Sequence, residues 1–221
     1  MDPGTRSALS RPGMTRAGTL LDALLEIPPS MCLENFYQDE SDARGGFSST
    51  ASNRREALAQ HLQAAAHSDF VLVGEAAGWR GCRQSGIPFT SPCDVGLTGT
   101  REASASVVQS ALASTGLAPR VLLWNALPLH PHPALQYRQN RTPTAAEVRL
   151  GHNALLAALT QRRVICVGTK AARAVSEVTQ SVVPGVYEKF GSGTVVQLRH
   201  PSFGGASRFR AGFDLVAEAW A

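Results

Sequence analysis

Lysine is almost missing from this chain: two lysines stand against 19 arginines in 221 residues. The cysteines at 32, 82, 93 and 166 form no Cys-x-x-Cys pair. That pattern excludes the common zinc-ribbon and dithiol redox motifs and leaves free thiols in a reducing compartment as the simplest reading. No apolar run approaches the roughly 20 residues of a membrane span, and no apolar leader core follows Met1. The expectation is a cytoplasmic protein without a membrane partner. Neither the Gly-x-Gly-x-x-Gly of dinucleotide sites nor the Gly-Lys-Ser/Thr ending of phosphate loops occurs, so the two commonest nucleotide-phosphate cradles are absent. His130, His132 and His152 are the remaining candidates for metal ligands. Pro131 and Pro133 restrict the convergence of the first two, and no metal site is expected.

The formal net charge is +4, carried by arginine, which favours planar bidentate contacts to phosphate. Abundant Ala, Gly and Arg also follow from codon usage, so the charge permits an anionic partner without naming one. Residues 1–20 are rich in Ser, Thr, Gly and Pro, with Arg6, Arg11 and Arg16 against the single acid Asp2. They read as a disordered basic tail with a faint transit-peptide character, and 21–221 as one domain.

Within that domain the periodicity alternates between helix and strand. Leu58, Leu62 and Ala65 mark a helix from about 54 to 66, after a short helical stretch near 20–25 and a loop over 39–50. Phe70 to Val73 predicts a strand. A long loop over 74–100 follows, with six glycines, and loops of that length in compact domains usually serve function. Val107, Val108, Ala111 and Leu112 predict a second helix and Val121 to Trp124 a second strand, before a proline-rich loop over 128–143. Thr144 and Glu147 fit a capping box for a third helix lined by Val148, Leu155, Leu156 and Leu159. Arg163 to Val167 predicts a strand, Gly168 to Val178 a helix, Thr194 to Leu198 a strand, and Phe209, Phe213, Val216 and Trp220 a closing helix. Strands alternating with helices argue a three-layer αβα sandwich around a four-stranded parallel sheet.

Ligand groups in such sheets gather where strands give way to loops at their carboxyl ends. Three segments stand there. Gly74-Glu75-Ala76-Ala77-Gly78 offers glycines for close backbone approach and a carboxylate, Glu75, able to position a water or, more blandly, to stay solvated. Asn125 ends a strand too apolar to be exposed. Its carboxamide either bonds local backbone, as strand-end asparagines commonly do, or presents a side-by-side acceptor and donor. That pair matches N3–H and O4 of uracil and mismatches cytosine. His200, in His200-Pro201-Ser202-Phe203-Gly204-Gly205, is either a satisfied core histidine or a donor to an oxygen that gains charge. Phe89, in Gly86-Ile87-Pro88-Phe89, either packs on the core or stacks on a base.

Together and in this order, these segments resemble the uracil-DNA glycosylase superfamily over roughly Phe70 to Trp220. Asn140-Arg141-Thr142-Pro143-Thr144 and Glu147-Val148 also resemble its iron–sulfur branch. Gly78-Trp79-Arg80-Gly81-Cys82-Arg83 is similar to a bacterial subgroup of the same superfamily. The resemblance implies that Gly74, Ala76, Phe89 and Asn125 surround an extruded base, with Glu75 and His200 as the catalytic pair. Lys170, Arg199, Ser202, Phe203 and Arg208 would hold DNA. Many members carry Asp or Asn where this chain has Ala76, so Glu75 is expected to take over the orientation of water. The cluster cysteines are missing: Gly151 stands where one belongs, and no amino-terminal pair exists. No iron–sulfur cluster and no other cofactor is expected.

The expected function is therefore that of a monomeric DNA glycosylase in the bacterial cytoplasm, at the nucleoid. It would hydrolyse the N-glycosidic bond of uracil or a related damaged base in single- or double-stranded DNA, as in base excision repair. Ala76 keeps open an alternative, a weak or inactive relative that binds damaged or single-stranded DNA. An unrelated enzyme of free nucleobases or nucleosides is a third reading.

Overall fold

A computed structural model of the protein describes residues 16–185 and 194–220. The first helix, α1 (Arg16–Leu25), leads to a two-residue strand β1 (Leu33–Glu34), a 3₁₀ turn over Asp39–Arg44 and helix α2 (Ala51–Ala64). Strand β2 (Phe70–Ala76), the short helix α3 (Cys82–Ser85), a 3₁₀ turn at Pro92–Val95 and helix α4 (Ala103–Thr115) follow. Next come β3 (Val121–Leu127), the two-residue β4 (His130–Pro131), α5 (Ala145–Leu150) and α6 (His152–Leu159). The chain continues through β5 (Arg163–Val167), α7 (Thr169–Thr179), β6 (Val195–Leu198) and α8 (Ala206–Trp220). The four longer strands form one parallel sheet in the order β3-β2-β5-β6.

Both faces of this sheet are covered, which is why its strands read as continuous apolar runs. Strand alternation divides each run in two. Val71, Val73, Leu122, Trp124, Val164 and Cys166 pack on one face with residues of α1, α2, α6 and α7. Phe70, Leu72, Leu123, Ile165, Val196 and Leu198 pack on the other with α4 and α8. The three-layer arrangement expected from the periodicity is thus present, and the closing helix buries all four of its predicted residues, Phe209, Phe213, Val216 and Trp220. The edge strand β3 is partly blunted by α2. His61 Nε2 accepts the Leu123 backbone N–H at 3.1 Å, occupying a group that would otherwise invite strand pairing. No helix among the described residues is long and apolar enough to cross a membrane.

Several boundaries differ from expectation. Residues 16–20 belong to α1, while the rest of the expected tail, residues 1–15, lies outside the described residues. Strands β2 and β3 each run to seven residues, because their polar ends continue the ladder: Gly74 pairs with Asn125 and Ala76 with Leu127. Gly74, Glu75, Ala76 and Asn125 therefore sit on strands rather than on loops after them. The expected loop over 74–100 holds α3 and a 3₁₀ turn. The expected third helix is two: Thr144 caps α5 with its predicted box, and the helix breaks at Gly151, leaving Leu156 51% exposed. A Cβ at Gly151 would overlap the Ala126 carbonyl oxygen, so the break lies where helix and strand backbones touch.

The histidines of the proline-rich loop are backbone ties. His130 lies on β4, paired with β1, and its ring nitrogens lie 2.9 and 3.0 Å from the carbonyls of Ala77 and Tyr137. Burial depresses the His61 and His132 imidazoles and pushes His130 down to about 4, against the pull of those carbonyls. A folded-state pKa below the unfolded value near 6.5 means the unfolded chain takes up protons that the folded chain refuses. This stability is complete above about pH 6.5 and is lost as pH falls toward 4. Between pH 7.5 and 5, His130 alone corresponds to about 2 kcal/mol, or a fall in Tm of about 4–8 °C. Glu102, raised by burial, works in the opposite direction. Thermal unfolding at the two pH values checks the net sign, and an equal or higher Tm at pH 5 would contradict it.

Candidate active site

The carboxyl ends of β2, β3, β5 and β6 open into one cleft of about 600 Å³, within the usual range for small-ligand sites. Every expected site residue except Arg208 lines it. Arg208 is exposed on α8 and stands outside the lining, because α8 leads away from the strand ends.

Asn125 and Gly74 are lateral neighbours on β3 and β2. A Cβ at residue 74 would overlap Asn125 Oδ1 and lie 2.7 Å from Phe89 Cζ. Glycine there lets the carboxamide and the aromatic ring share one corner. Asn125 is 4% exposed. The local-backbone reading fails: no hydrogen bond to its carboxamide is formed among the described residues, so both its acceptor and its donor remain available to a ligand. Phe89 is held at φ +53°, a left-handed conformation uncommon outside glycine and asparagine. Its carbonyl is anchored by Gln109 Nε2 at 2.9 Å.

His200 follows β6. Gly168, at φ +89°, faces its Cβ at a distance that would be 3.0 Å from any Cβ placed on residue 168, so the missing side chain admits the histidine loop. The Ser202 backbone N–H donates to Nδ1 at 3.1 Å, and Ser202 Oγ lies 2.7 Å from the same nitrogen. A nitrogen that accepts an N–H carries its lone pair there, so the ring proton resides on Nε2. Burial, then the charges of Arg199 and Lys170, hold the imidazole below its ordinary pKa. The group is a neutral Nε2–H donor at pH 7. Phe203, at the tip of this loop, is 96% exposed with φ +50°.

Strand alternation turns Glu75 to the other side of β2 from Gly74, toward the start of α7. There Lys170 Nζ lies 3.1 and 3.3 Å from its carboxylate oxygens and donates to Thr142 Oγ1 at 2.8 Å. The one lysine of the described chain thus braces Glu75 across the cleft, with its own side chain about half exposed. Arg141 is also internal: it grips Glu147 through both terminal nitrogens and bonds the Cys32, His132 and Thr142 carbonyls. Asn140 Oδ1 accepts the Trp79 backbone N–H at 2.9 Å. These contacts fix the cleft wall.

Residues 60–221 match the family model of the Uracil DNA glycosylase superfamily. The chain belongs to this superfamily. Among solved structures, the fold is similar to that of wild-type SMUG2 from Pedobacter heparinus, with 16% identity and a TM-score of 0.62. The likeness covers 94% of this chain and 97% of that one. No curated protein sequence matches the chain.

A cluster of the kind carried by the iron–sulfur branch of the superfamily does not fit these residues. Position 151 has no room for a ligand side chain against Ala126. Among the described residues no group of three or more His, Cys, Asp or Glu side chains is placed to hold a metal ion. One cleft residue had no signal in the sequence. Glu102, just ahead of α4, contributes a largely buried carboxylate to the lining. The glycines at 78 and 81 hint at a close neighbour without saying which.

Proposed function

We propose that the protein excises uracil, or a related damaged pyrimidine, from DNA by hydrolysing the N-glycosidic bond. The observation that carries this reading is the free Asn125 carboxamide beside Phe89, in the same cleft as a neutral His200 donor. The nucleotide must leave the duplex to reach such a cleft, at a cost of a few kcal/mol that is least for mismatched or single-stranded bases. Phe89 then stacks on the ring. Asn125 Oδ1 accepts N3–H and its amide donates to O4, while His200 Nε2–H donates to O2.

As the N1–C1′ bond breaks, its electron pair passes to the base, whose oxygens gain charge against His200 and Asn125. The sugar becomes oxocarbenium-like and is captured by water, which gives up a proton as the new C1′–O bond forms. Ala76 offers no polar group to that water, and Glu75, braced by Lys170, is the carboxylate on this wall. Exposed Phe203 fits the role of a wedge in the base stack. Arg199, Ser202 and Arg208 supply salt-dependent phosphate contacts, with Lys170 adding positive charge to the wall.

Ala76 also favours a second reading, a relative that grips damaged DNA without cutting it. A panel of uracil-containing oligonucleotides, single-stranded and paired as G·U and A·U, separates the two. Free uracil and alkali-labile abasic sites are expected, with the single strand and G·U processed faster than A·U. Shifted DNA without abasic product would establish the binding protein, and activity on free deoxyuridine alone would replace both readings.

A further inference from the structure

Lysine is scarce in this chain, and arginine is the usual partner of its carboxylates. Arg54 grips Asp42, Arg120 grips Asp69 and Arg141 grips Glu147. At Glu75 the partner is Lys170 instead, with Nζ 3.1 and 3.3 Å from the two carboxylate oxygens. Arginine is the better brace for a carboxylate, because its planar fork bonds both oxygens and it never gives up its charge. Lysine adds a capability that arginine lacks: its amine can lose a proton and then attack a carbonyl carbon.

Lys170 lines the cleft together with Glu75 and Thr142. Its side chain is 54% exposed, so a ligand in the cleft reaches the amine. In the reading above, Glu75 is the carboxylate beside the water that captures C1′. The amine bonds that same carboxylate, which places it one hydrogen-bonded neighbour from the reacting carbon. Once the base has left, C1′ becomes the aldehyde carbon of the ring-opened abasic sugar. The other candidates for a nucleophile in the cleft are poor. His200 accepts the Ser202 N–H on Nδ1, so its Nε2 carries a proton and offers no lone pair. Cys82 is buried, and desolvation drives its thiol far above the ordinary range, away from the thiolate that reacts.

We propose that the protein has a second, lyase activity, in which Lys170 forms a Schiff base with C1′ of an abasic site and the strand is cut by β-elimination. Glu75 takes a proton from Nζ, and the freed electron pair bonds to C1′ while a second proton passes from nitrogen to the former carbonyl oxygen. That hydroxyl leaves as water on the proton returned by Glu75, and an iminium joins C1′ to Nζ. Loss of a proton from C2′ to the Glu75 carboxylate moves its electron pair toward C1′. Formation of the C2′=C3′ bond then breaks C3′–O3′, and the 3′ phosphate departs with that bonding pair. Water hydrolyses the iminium and restores the amine, and the C2′ proton passes to solvent. No oxidant or reductant is consumed. One fragment keeps an unsaturated aldehyde and the other a 5′ phosphate.

This inference rests on the reading of the cleft as a site for an extruded nucleotide, and the substrate is chosen to separate it from base release. An oligonucleotide with a preformed abasic site is incubated with the full-length protein and sodium cyanoborohydride, which reduces an imine to a permanent amine link. A slowly migrating protein–DNA adduct is expected on a denaturing gel, with peptide mass spectrometry placing it on residue 170. Without the reductant, strand cleavage to a 5′-phosphate fragment is expected. Lys170→Arg keeps a positive charge beside Glu75 and should lose both adduct and cleavage, with circular dichroism and Tm establishing its fold. An adduct that maps to the amino terminus or to Lys189, or that persists in Lys170→Arg, would overturn the inference, as would no adduct at all. If the variant does not fold, the mapped position in the unaltered protein still decides. A uracil oligonucleotide run in parallel tests the glycosylase reading on its own. Uracil release without an adduct sinks the lyase step alone, and an adduct without uracil release sinks the glycosylase reading alone.

Discussion

Replacing His200 with alanine is expected to slow base release by about 10²–10³-fold while changing affinity for uracil-containing DNA by less than about threefold. The size follows from the removal of one fixed donor to an oxygen that gains charge, about 2.7–4 kcal/mol. The asymmetry follows from the state of the ring. Ser202 N–H donates to Nδ1, so Nε2 carries the proton toward the cleft, and burial with Arg199 and Lys170 keeps the imidazole neutral. A neutral donor interacts modestly with the uncharged carbonyl of the bound base and strongly with the anion that forms as the bond breaks, which is where selective stabilisation accelerates a reaction. Single-turnover release from a uracil oligonucleotide, with fluorescence anisotropy for affinity, reads the two effects separately. A loss confined to affinity would show that His200 serves binding alone.

Asn125→Asp is expected to lower the rate on uracil by about 10²-fold or more and to erode the preference for uracil over cytosine. The two side chains are nearly isosteric, and the amide makes no hydrogen bond to the described protein, so the fold should keep its Tm within a few degrees. What changes is the ligand-facing pattern. The carboxylate accepts on both oxygens and cannot donate to O4, and it sets a negative charge beside a base that is itself becoming negative. A buried acceptor left facing an acceptor costs about 1–3 kcal/mol, more when one is charged. Turnover of matched uracil and cytosine oligonucleotides checks this. If rate and preference both survive, Asn125 does not read the base edge.

These expectations depend on residues whose chemistry was legible in the chain and whose neighbours were not. Asn125 and His200 stood out because each follows an apolar run where a polar group needs a reason, and Phe89 because it is an aromatic in a glycine-rich loop. The capping box at Thr144 and the buried stripe of α8 were equally local signals. Glu102 had no such signal. An acid just before a helix is ordinary, and its turn into the cleft depends on two glycines more than 20 positions away in the chain. Lys170 looked like a phosphate contact by charge alone. Its pairing with Glu75, 95 residues distant, arises from the neighbouring positions of β2 and β5 in the sheet. Arg141 was similarly claimed by Glu147 and three carbonyls once the loops packed.

Local patterning, then, was enough to establish a parallel sheet covered on both faces and the strand ends at which the cleft opens, because period-two and period-3.6 burial are properties of short windows. Only the tertiary structure decided which polar groups share the cleft and which of them still have an unused hydrogen bond. That depends on strand order and on glycines that let distant backbones touch, and neither is encoded in any single window of the chain.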